Sequence, residues 1–217
     1  MRYLCLLLCL AGVSLFPVAS LAESPSRAAV ATAHPLATGA GVAILERGGN
    51  AFDAAAAITA VLAVVEPYSC GLGGGGFWLL HRAADGRQVM VDGRETAPAR
   101  AGKDMYLDKN GDLRPGASID GPGSAAIPGI PAGIVHLVKQ YGRLSLAEVL
   151  APAIRHASAG FPVTERYRQL AGSRLDVLRS WPESAAIFLQ NNEIPPAGHL
   201  LVQKNLAGTL ELLARHG

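Results

Sequence analysis

The sequence at residues 66–98, EPYSCGLGGGGFWLLHRAADGRQVMVDGRETAP, organises the rest of the chain. Five of the six residues at 71–76 are glycine, so this loop can reach positive φ angles and allow another backbone or a ligand to approach closely. Residues 77–81 and 89–91 are rich in aromatic and branched side chains, and an Ala-Asp-Gly turn separates them. This pattern predicts a β-hairpin. Its second strand delivers Arg94, whose planar guanidinium suits a two-pronged contact with a carboxylate.

Start and stop signals divide the remainder of the chain into short elements, most of them helical. Pro35 suits the first position of a helix, and Gly48 and Gly49 end that helix. Asn50 with Asp53 forms a capping box for the next helix, which is apolar on nearly every face and is therefore predicted to be buried. The predicted elements are a strand at 28–33, helices at 35–47, 51–65, 132–141, 146–158, 165–171 and 203–214, and loops at 99–131 and 191–198.

Length and composition restrict the class of protein. A chain of 217 residues suits one domain or a piece of a larger one. Half of the residues are hydrophobic and 17% are charged, which favours a large buried core and argues against disorder. The formal charge is +2, and four arginines at 166–179 are spread along a helical pattern that also contains Glu165 and Asp176. A solvated helix face explains them better than a nucleic-acid surface.

The N-terminus has the pattern of a secretory signal peptide. Arg2 precedes an apolar stretch at 4–16 and a small-x-small cleavage site. Removal of residues 1–22 would expose Glu23, so we expect a periplasmic or secreted protein with no membrane association after cleavage. The apolar stretch is short for a membrane span. The mature chain would retain Cys70 as its sole cysteine, which leaves no internal disulfide framework.

Several common chemistries lack their sequence signals. Residues 71–76 match G-x-G-x-x-G, but the predicted order is helix, loop, strand, whereas a dinucleotide fold requires strand, loop, helix. The histidines form no H-x-H or H-E-x-x-H pair, and no G-x-S-x-G elbow is present. We therefore expect no cofactor, metal or nucleotide. Cys70 could be a nucleophile, but a structural thiol beside the glycine loop is the favoured interpretation.

Three motifs resemble those of the gamma-glutamyltransferases: residues 48–55, 71–77 and 92–98, in the family's order. These enzymes are N-terminal-nucleophile hydrolases that act on glutathione. The resemblance extends from residue 29 to the chain end. It implies an α+β fold, the αββα sandwich of two stacked sheets flanked by helices, of which residues 23–217 are an incomplete N-terminal portion. Family members often have an aromatic residue where this chain has Gly93.

The resemblance also gives Arg94 a role, because the matching arginine binds the α-carboxylate of the gamma-glutamyl group. The alternative is a structural ion pair with Asp92 or Glu95. On the period-2 geometry of a strand, Asp92 and Arg94 share a face while Glu95 points away, so Glu95 is predicted to be a poor local partner. We expect Asp92 and Glu95 to support Arg94 structurally rather than to act as acids or bases.

The family's nucleophile is a threonine that self-cleavage makes N-terminal. The threonines of this chain all lie in the part that matches the family's upstream half: Thr32, Thr38, Thr59, Thr96, Thr164 and Thr209. The catalytic residues are therefore expected in a downstream half that would be this chain's partner, and the isolated chain is expected to be inactive. Two alternatives remain open: an amide acylase of the same fold, such as a cephalosporin acylase, and a non-catalytic exported binding module. The DNA downstream of Gly217 would discriminate among them.

Overall fold

A computed structural model describes residues 28–217, so the predicted signal peptide at 1–22 and its cleavage site lie outside the described residues. The elements, in chain order, are α1 (Pro35–Glu46), α2 (Ala51–Val65), β1 (Gly76–Arg82), β2 (Arg87–Gly93), a 3-10 turn (Pro122–Ser124), α3 (Ile130–Tyr141), α4 (Leu146–Ala159), β3 (Phe161–Pro162), α5 (Glu165–Gly172), α6 (Leu175–Ser180), α7 (Pro182–Phe188), β4 (Leu200–Leu201) and α8 (Lys204–His216).

Helix α2 is the centre of the hydrophobic core. It packs against α1, α3 and α4, and α4 in turn packs against α8. Its alanines at 56, 57 and 60 and its valines at 61 and 64 are completely buried. Small side chains on every face allow three helices to approach α2 at once, and this explains why a helix with no polar stripe forms here. The prediction that α2 is buried is confirmed.

The start of α2 is fastened to the connection between α3 and α4. The Asn50 side chain accepts hydrogen bonds from the backbone N–H groups of Phe52 and Asp53, and Asp53 accepts one from Asn50 in return. Asp53 also accepts the backbone N–H of Arg143, and Asn50 donates to the carbonyl of Tyr141 at 2.6 Å. The predicted capping box is confirmed, and it has a tertiary role that its sequence pattern does not reveal.

The strands of residues 28–217 form two separate two-stranded antiparallel sheets. In the first, β1 pairs with β2 in a register that runs from Gly76 opposite Gly93 to Arg82 opposite Arg87, which confirms the predicted hairpin. The second sheet joins β3 to β4. Helices and antiparallel strands therefore occur together, as the predicted α+β class requires. None of the helices in the described residues is long and apolar enough to cross a membrane.

Two expectations from the sequence were wrong. Residues 28–33 are not assigned to a strand; Thr32 donates its hydroxyl to the carbonyl of His34, ahead of α1. The predicted elements between 171 and 203 lacked α6 and α7. Both helices are short and begin without a side-chain cap, and the sequence analysis did not use Pro182, which lies at the first position of α7, as a start signal.

Candidate functional site

Three backbone segments meet beside the hairpin, at residues 74–75, 93–96 and 127–130; we call this meeting point the glycine junction. The carbonyl of Gly74 accepts hydrogen bonds from the backbone N–H groups of Gly129, at 3.1 Å, and Ile130, at 3.2 Å. A Cβ atom at Gly129 would lie 2.1 Å from the carbonyl oxygen of Gly93, so a side chain there would force the segments apart. The glycine loop thus holds the N-terminus of α3 against the end of β2.

The segment that follows β2 is also held by backbone hydrogen bonds. Thr96 donates its N–H to the carbonyl of Ile127 at 3.1 Å, and Ile127 donates to the carbonyl of Thr96 at 2.9 Å. The Asp92 carboxylate accepts the backbone N–H of Arg94 at 2.9 Å. Because these bonds lie on both sides of residues 94–95, the backbone that carries Arg94 has little freedom to move.

The Arg94 side chain is 67% exposed, and its Nε lies 3.6 Å from Oε2 of Glu95. Its guanidinium makes no hydrogen bond to any residue in 28–217. Contrary to the expectation that Glu95 is a poor partner, its carboxylate lies within ion-pair distance of Arg94, although the two side chains form no hydrogen bond. The alternation of faces along a strand does not extend to Glu95, because β2 ends at Gly93 and both later residues lie outside the ladder.

Arg94 lies at an open groove of about 570 Å³ between β2 and the start of α3. Gly129, Ala132 and Gly133 form the helical wall, so the N-terminus of α3, with its partial positive charge, opens onto the same space. Among residues 28–217, Asp92 is the one acidic residue that lines this groove. The arrangement can attract an anion, and a guanidinium without hydrogen bonds can bind a carboxylate there.

Gly93 is explained by Trp78 on the neighbouring strand. The Trp78 indole is buried, and its Nε1 donates to the Thr59 hydroxyl on α2 at 3.1 Å. A Cβ atom at Gly93 would lie 2.5 Å from the indole ring, and a Cβ atom at Gly133 would lie 2.3 Å from it. The Trp78 ring therefore occupies the space beside position 93.

Cys70 is a free, half-buried thiol at the start of the glycine loop. Burial raises its pKa, and the negative charge of Glu66 raises it further. Both effects favour the neutral thiol over the nucleophilic thiolate. This is the direction expected for the structural thiol predicted from the sequence, although the role itself stays a prediction.

The structure also indicates which residues the sequence prediction missed. The helical wall formed by Gly129, Ala132 and Gly133 was not assigned to the site, and Gly129 was included only in the predicted loop at 99–131. Trp78 was assigned to the strand but not to the space beside Gly93. Within residues 28–217 no group of three His, Cys, Asp or Glu side chains is arranged so that it could hold a metal ion.

Comparison with known proteins places this geometry in a family. The sequence model described as Gamma-glutamyltranspeptidase matches residues 37–217. The solved gamma-glutamyltranspeptidase of Helicobacter pylori is similar with a TM-score of 0.85 and 37% identity, over 88% of this chain and 55% of that chain. The fold is thus the α+β fold of the N-terminal-nucleophile hydrolases. The chain belongs to the gamma-glutamyltranspeptidase family, which confirms the resemblance inferred from its three motifs.

Curated relatives include proteins with two kinds of name. The chain is 39% identical to the glutathione hydrolase proenzyme of Bacillus subtilis (strain 168) over 191 residues, which is 87% of this chain and 32% of the relative. It is 40% identical to the acylase ACY 1 proenzyme of Pseudomonas sp. (strain V22), over 88% of this chain and 35% of the relative. The chain spans about a third of the length of the curated relatives it matches.

Proposed function

We propose that this chain supplies the carboxylate-binding part of an enzyme that transfers or hydrolyses gamma-glutamyl groups, with glutathione and related gamma-glutamyl amides as substrates. Arg94 binds the α-carboxylate of the gamma-glutamyl group. The observation that carries the proposal is an exposed guanidinium at a groove, held by the backbone around it but without a hydrogen bond among residues 28–217. The name of the Bacillus subtilis relative, a glutathione hydrolase, supports the same substrate.

The charges of the groove suit this role. A substrate carboxylate in the groove would meet the guanidinium of Arg94 near the N-terminal end of α3, where the Gly129 and Ile130 N–H groups already bond to the carbonyl of Gly74. Asp92 keeps the groove from being uniformly positive, and a gamma-glutamyl group carries an α-ammonium next to its α-carboxylate. The groove thus offers positive groups to the α-carboxylate, while the residues that hold the α-ammonium are expected in the catalytic half.

The bond chemistry belongs to a catalytic half that this chain would join; we call the two together the complete proenzyme, whether it is a longer native chain or one reassembled from two parts. In that half, a threonine hydroxyl attacks the gamma-carbonyl and expels the amine of the leaving group, forming a gamma-glutamyl ester. Water or an acceptor amine then releases the acyl group. Arg94 contributes by positioning the gamma-carbonyl for attack.

The proposal includes export. The pattern at 1–22 predicts cleavage before Glu23 and a periplasmic or secreted location for the gamma-glutamyltransferase part at 23–217. N-terminal sequencing of the native protein tests this point directly, and an intact Met1 would contradict it.

Substitution of Arg94 tests the carboxylate contact in the complete proenzyme. A hydrogen bond to a charged group contributes about 1.5–3 kcal/mol, and about 1.4 kcal/mol is tenfold in an equilibrium constant. Arg94→Ala should therefore raise KM for a gamma-glutamyl substrate by about ten- to a hundredfold, or more if the contact is bidentate. Arg94→Lys should recover part of the loss, because it retains the charge without the two-pronged geometry.

Arg87→Ala is the matched control, since Arg87 is an exposed arginine at the other end of the same strand. Each variant is also followed by its melting temperature and by its self-cleavage. If Arg94→Ala folds, matures and retains its KM, the substrate role is wrong. If it loses melting temperature or maturation while the folded fraction binds normally, Arg94 has the structural role that the sequence analysis left open.

A second candidate function, amide acylase, is favoured by the acylase relative, which is as similar to this chain as the glutathione hydrolase. The two functions differ in what they require of Arg94. A gamma-glutamyl substrate presents an α-carboxylate, whereas a simple acyl group without that carboxylate has nothing for the guanidinium to bind. Comparing kcat/KM for paired amide substrates with and without the α-carboxylate therefore distinguishes them, and a preference for the simple acyl group would favour the acylase.

A further inference from the structure

The glycines of the loop differ in the space around them. A Cβ atom at Gly73 would meet nothing within 4 Å, whereas a Cβ atom at Gly75 would lie 2.0 Å from Oε2 of Glu95. The same Cβ atom would lie 2.5 Å from the backbone nitrogen of Glu95 and 2.9 Å from Cα of Arg94. Neither Gly73 nor Gly75 has a positive φ angle. Steric contact, rather than backbone conformation, therefore separates the two positions.

The contacts at Gly75 involve the segment that carries the substrate-binding guanidinium. The Glu95 carboxylate could rotate away from a new methyl group, but the backbone atoms of Arg94 and Glu95 could not. That backbone is tied to Ile127 through Thr96 and faces Gly129 on its other side. A side chain at position 75 would thus push Arg94 away from the glycine loop and change its position in the groove.

Glu95 occupies the space that the missing side chain leaves free. Its carboxylate, one-third exposed, approaches Arg94 most closely at Nε, 3.6 Å away. The terminal nitrogens of the guanidinium are then the atoms left to make a two-pronged contact with a carboxylate. The close approach at Gly75 and the position of Glu95 are two parts of one arrangement.

We propose that Gly75 and Glu95 are positioning residues for Arg94: the absence of a side chain at 75 admits the 94–95 backbone and the Glu95 carboxylate, and Glu95 orients the guanidinium toward the groove. This inference rests on the proposed function, since it assigns the residues that set where the substrate carboxylate is bound. Neither residue contacts the substrate in this arrangement, so both act through Arg94.

The experiment compares two alanine substitutions in the complete proenzyme. Gly75→Ala should raise KM for a gamma-glutamyl amide by about tenfold while kcat changes by less than about threefold, the pattern of a binding interaction lost equally from ground and transition states. Gly73→Ala is the matched control, because Gly73 is exposed, lies outside the glycine junction and has open space at its Cβ position. It should leave both constants close to those of the parent.

Glu95→Gln provides a second variant that leaves the backbone contacts at Gly75 intact. It should also raise KM, by less than Arg94→Ala, because the amide retains the size of the carboxylate but not its charge. If Gly75→Ala fails to mature, the proposal is tested by Glu95→Gln alone. An unchanged KM for Glu95→Gln then refutes the role of Glu95 and with it the proposal. If Gly75→Ala matures but behaves like Gly73→Ala, the role of Gly75 is refuted.

Combination with Arg94→Ala separates this inference from the proposed function. If Gly75 and Glu95 act through Arg94, adding either substitution to Arg94→Ala should raise KM little further, and the effects should be strongly non-additive. Full additivity refutes the inference while the proposed function stands. If Arg94→Ala itself leaves KM unchanged, the proposed function has failed, whatever the loop variants do.

Discussion

Asp53 offers a sharp test of how the core is held together. Its side chain is completely buried at the third position of α2, and its carboxylate accepts two backbone N–H groups. One comes from Asn50, at 2.9 Å, within the same capping box; the other comes from Arg143, at 3.0 Å, across the fold. Asp53→Ala removes both acceptors and leaves two N–H groups without their partners. We expect a large loss of stability without any direct effect on the groove.

The size of the loss follows from the two bonds. Each hydrogen bond to a charged group contributes about 1.5–3 kcal/mol, so Asp53→Ala should reduce the free energy of unfolding by about 3–6 kcal/mol. Domains are stable by about 5–15 kcal/mol in total, so the variant should lose a large part of its stability. Asp53→Asn retains one oxygen acceptor and should lose less.

Glu148 supplies the matched control, because it occupies the same third position in the capping box of α4. Among residues 28–217 its carboxylate hydrogen-bonds to Ser145 alone and lies at the surface, and those bonds lower its pKa. Guanidinium denaturation at pH 7.5 should therefore show a much smaller shift of midpoint for Glu148→Ala than for Asp53→Ala. Equal shifts for the two variants would refute the argument that burial and the hydrogen bond from Arg143 make Asp53 contribute more to stability than Glu148 does.

Two further predictions concern pH and packing. Burial lowers the pKa of His34 from its usual 6.5, and this effect is larger than the opposite effect of the negative charge of Glu66. Near this pH the folded state therefore binds fewer protons than the unfolded state. The free energy of unfolding should be highest above about pH 6.5 and should decrease as the pH falls below it. His34→Asn, which can retain the helix cap, should reduce this loss between pH 7.5 and 5.5, and an unchanged loss would contradict the assignment. Gly93→Ala should lower the free energy of unfolding by about 1–3 kcal/mol because its methyl group would overpack against Trp78. In a Trp78→Ala background, Gly93→Ala should cost less stability. Additive effects of the two substitutions in denaturation experiments on the double variant would exclude that contact.

The parts of the fold that depend on near neighbours were predictable. The caps of α2 and α4 each need residues three positions apart: Asn50 with Asp53 forms the predicted bonds, and Ser145 with Glu148 has the same local pattern and the same bonds. Residues 28–33 failed because a strand requires a partner, which no local pattern can supply. The same limit applies to Glu95, since the point where β2 ends depends on its pairing with β1.

The site could be predicted only in part. Arg94 was identified through its motif, and its place at the end of the hairpin followed from the alternation of apolar residues. The opposite wall of the groove could not be located, because it depends on hydrogen bonds from Gly129 and Ile130 to Gly74, more than fifty residues earlier in the chain. Such a contact reflects how α3 packs against β2, and a pattern of neighbouring residues does not specify it.

The three family motifs have different physical tasks in this fold. The motif at 48–55 lies at the start of α2, and the glycine loop follows the C-terminal end of this helix. At about 1.5 Å for each residue, α2 separates the two motifs by about 22 Å. The first motif ties α2 to the α3–α4 connection, whereas the motifs at 71–77 and 92–98 meet at the glycine junction. Substitutions in the first should therefore change stability and leave substrate affinity alone. Substitutions at the glycine junction should change substrate affinity through Arg94, because residues of the other two motifs are in contact there.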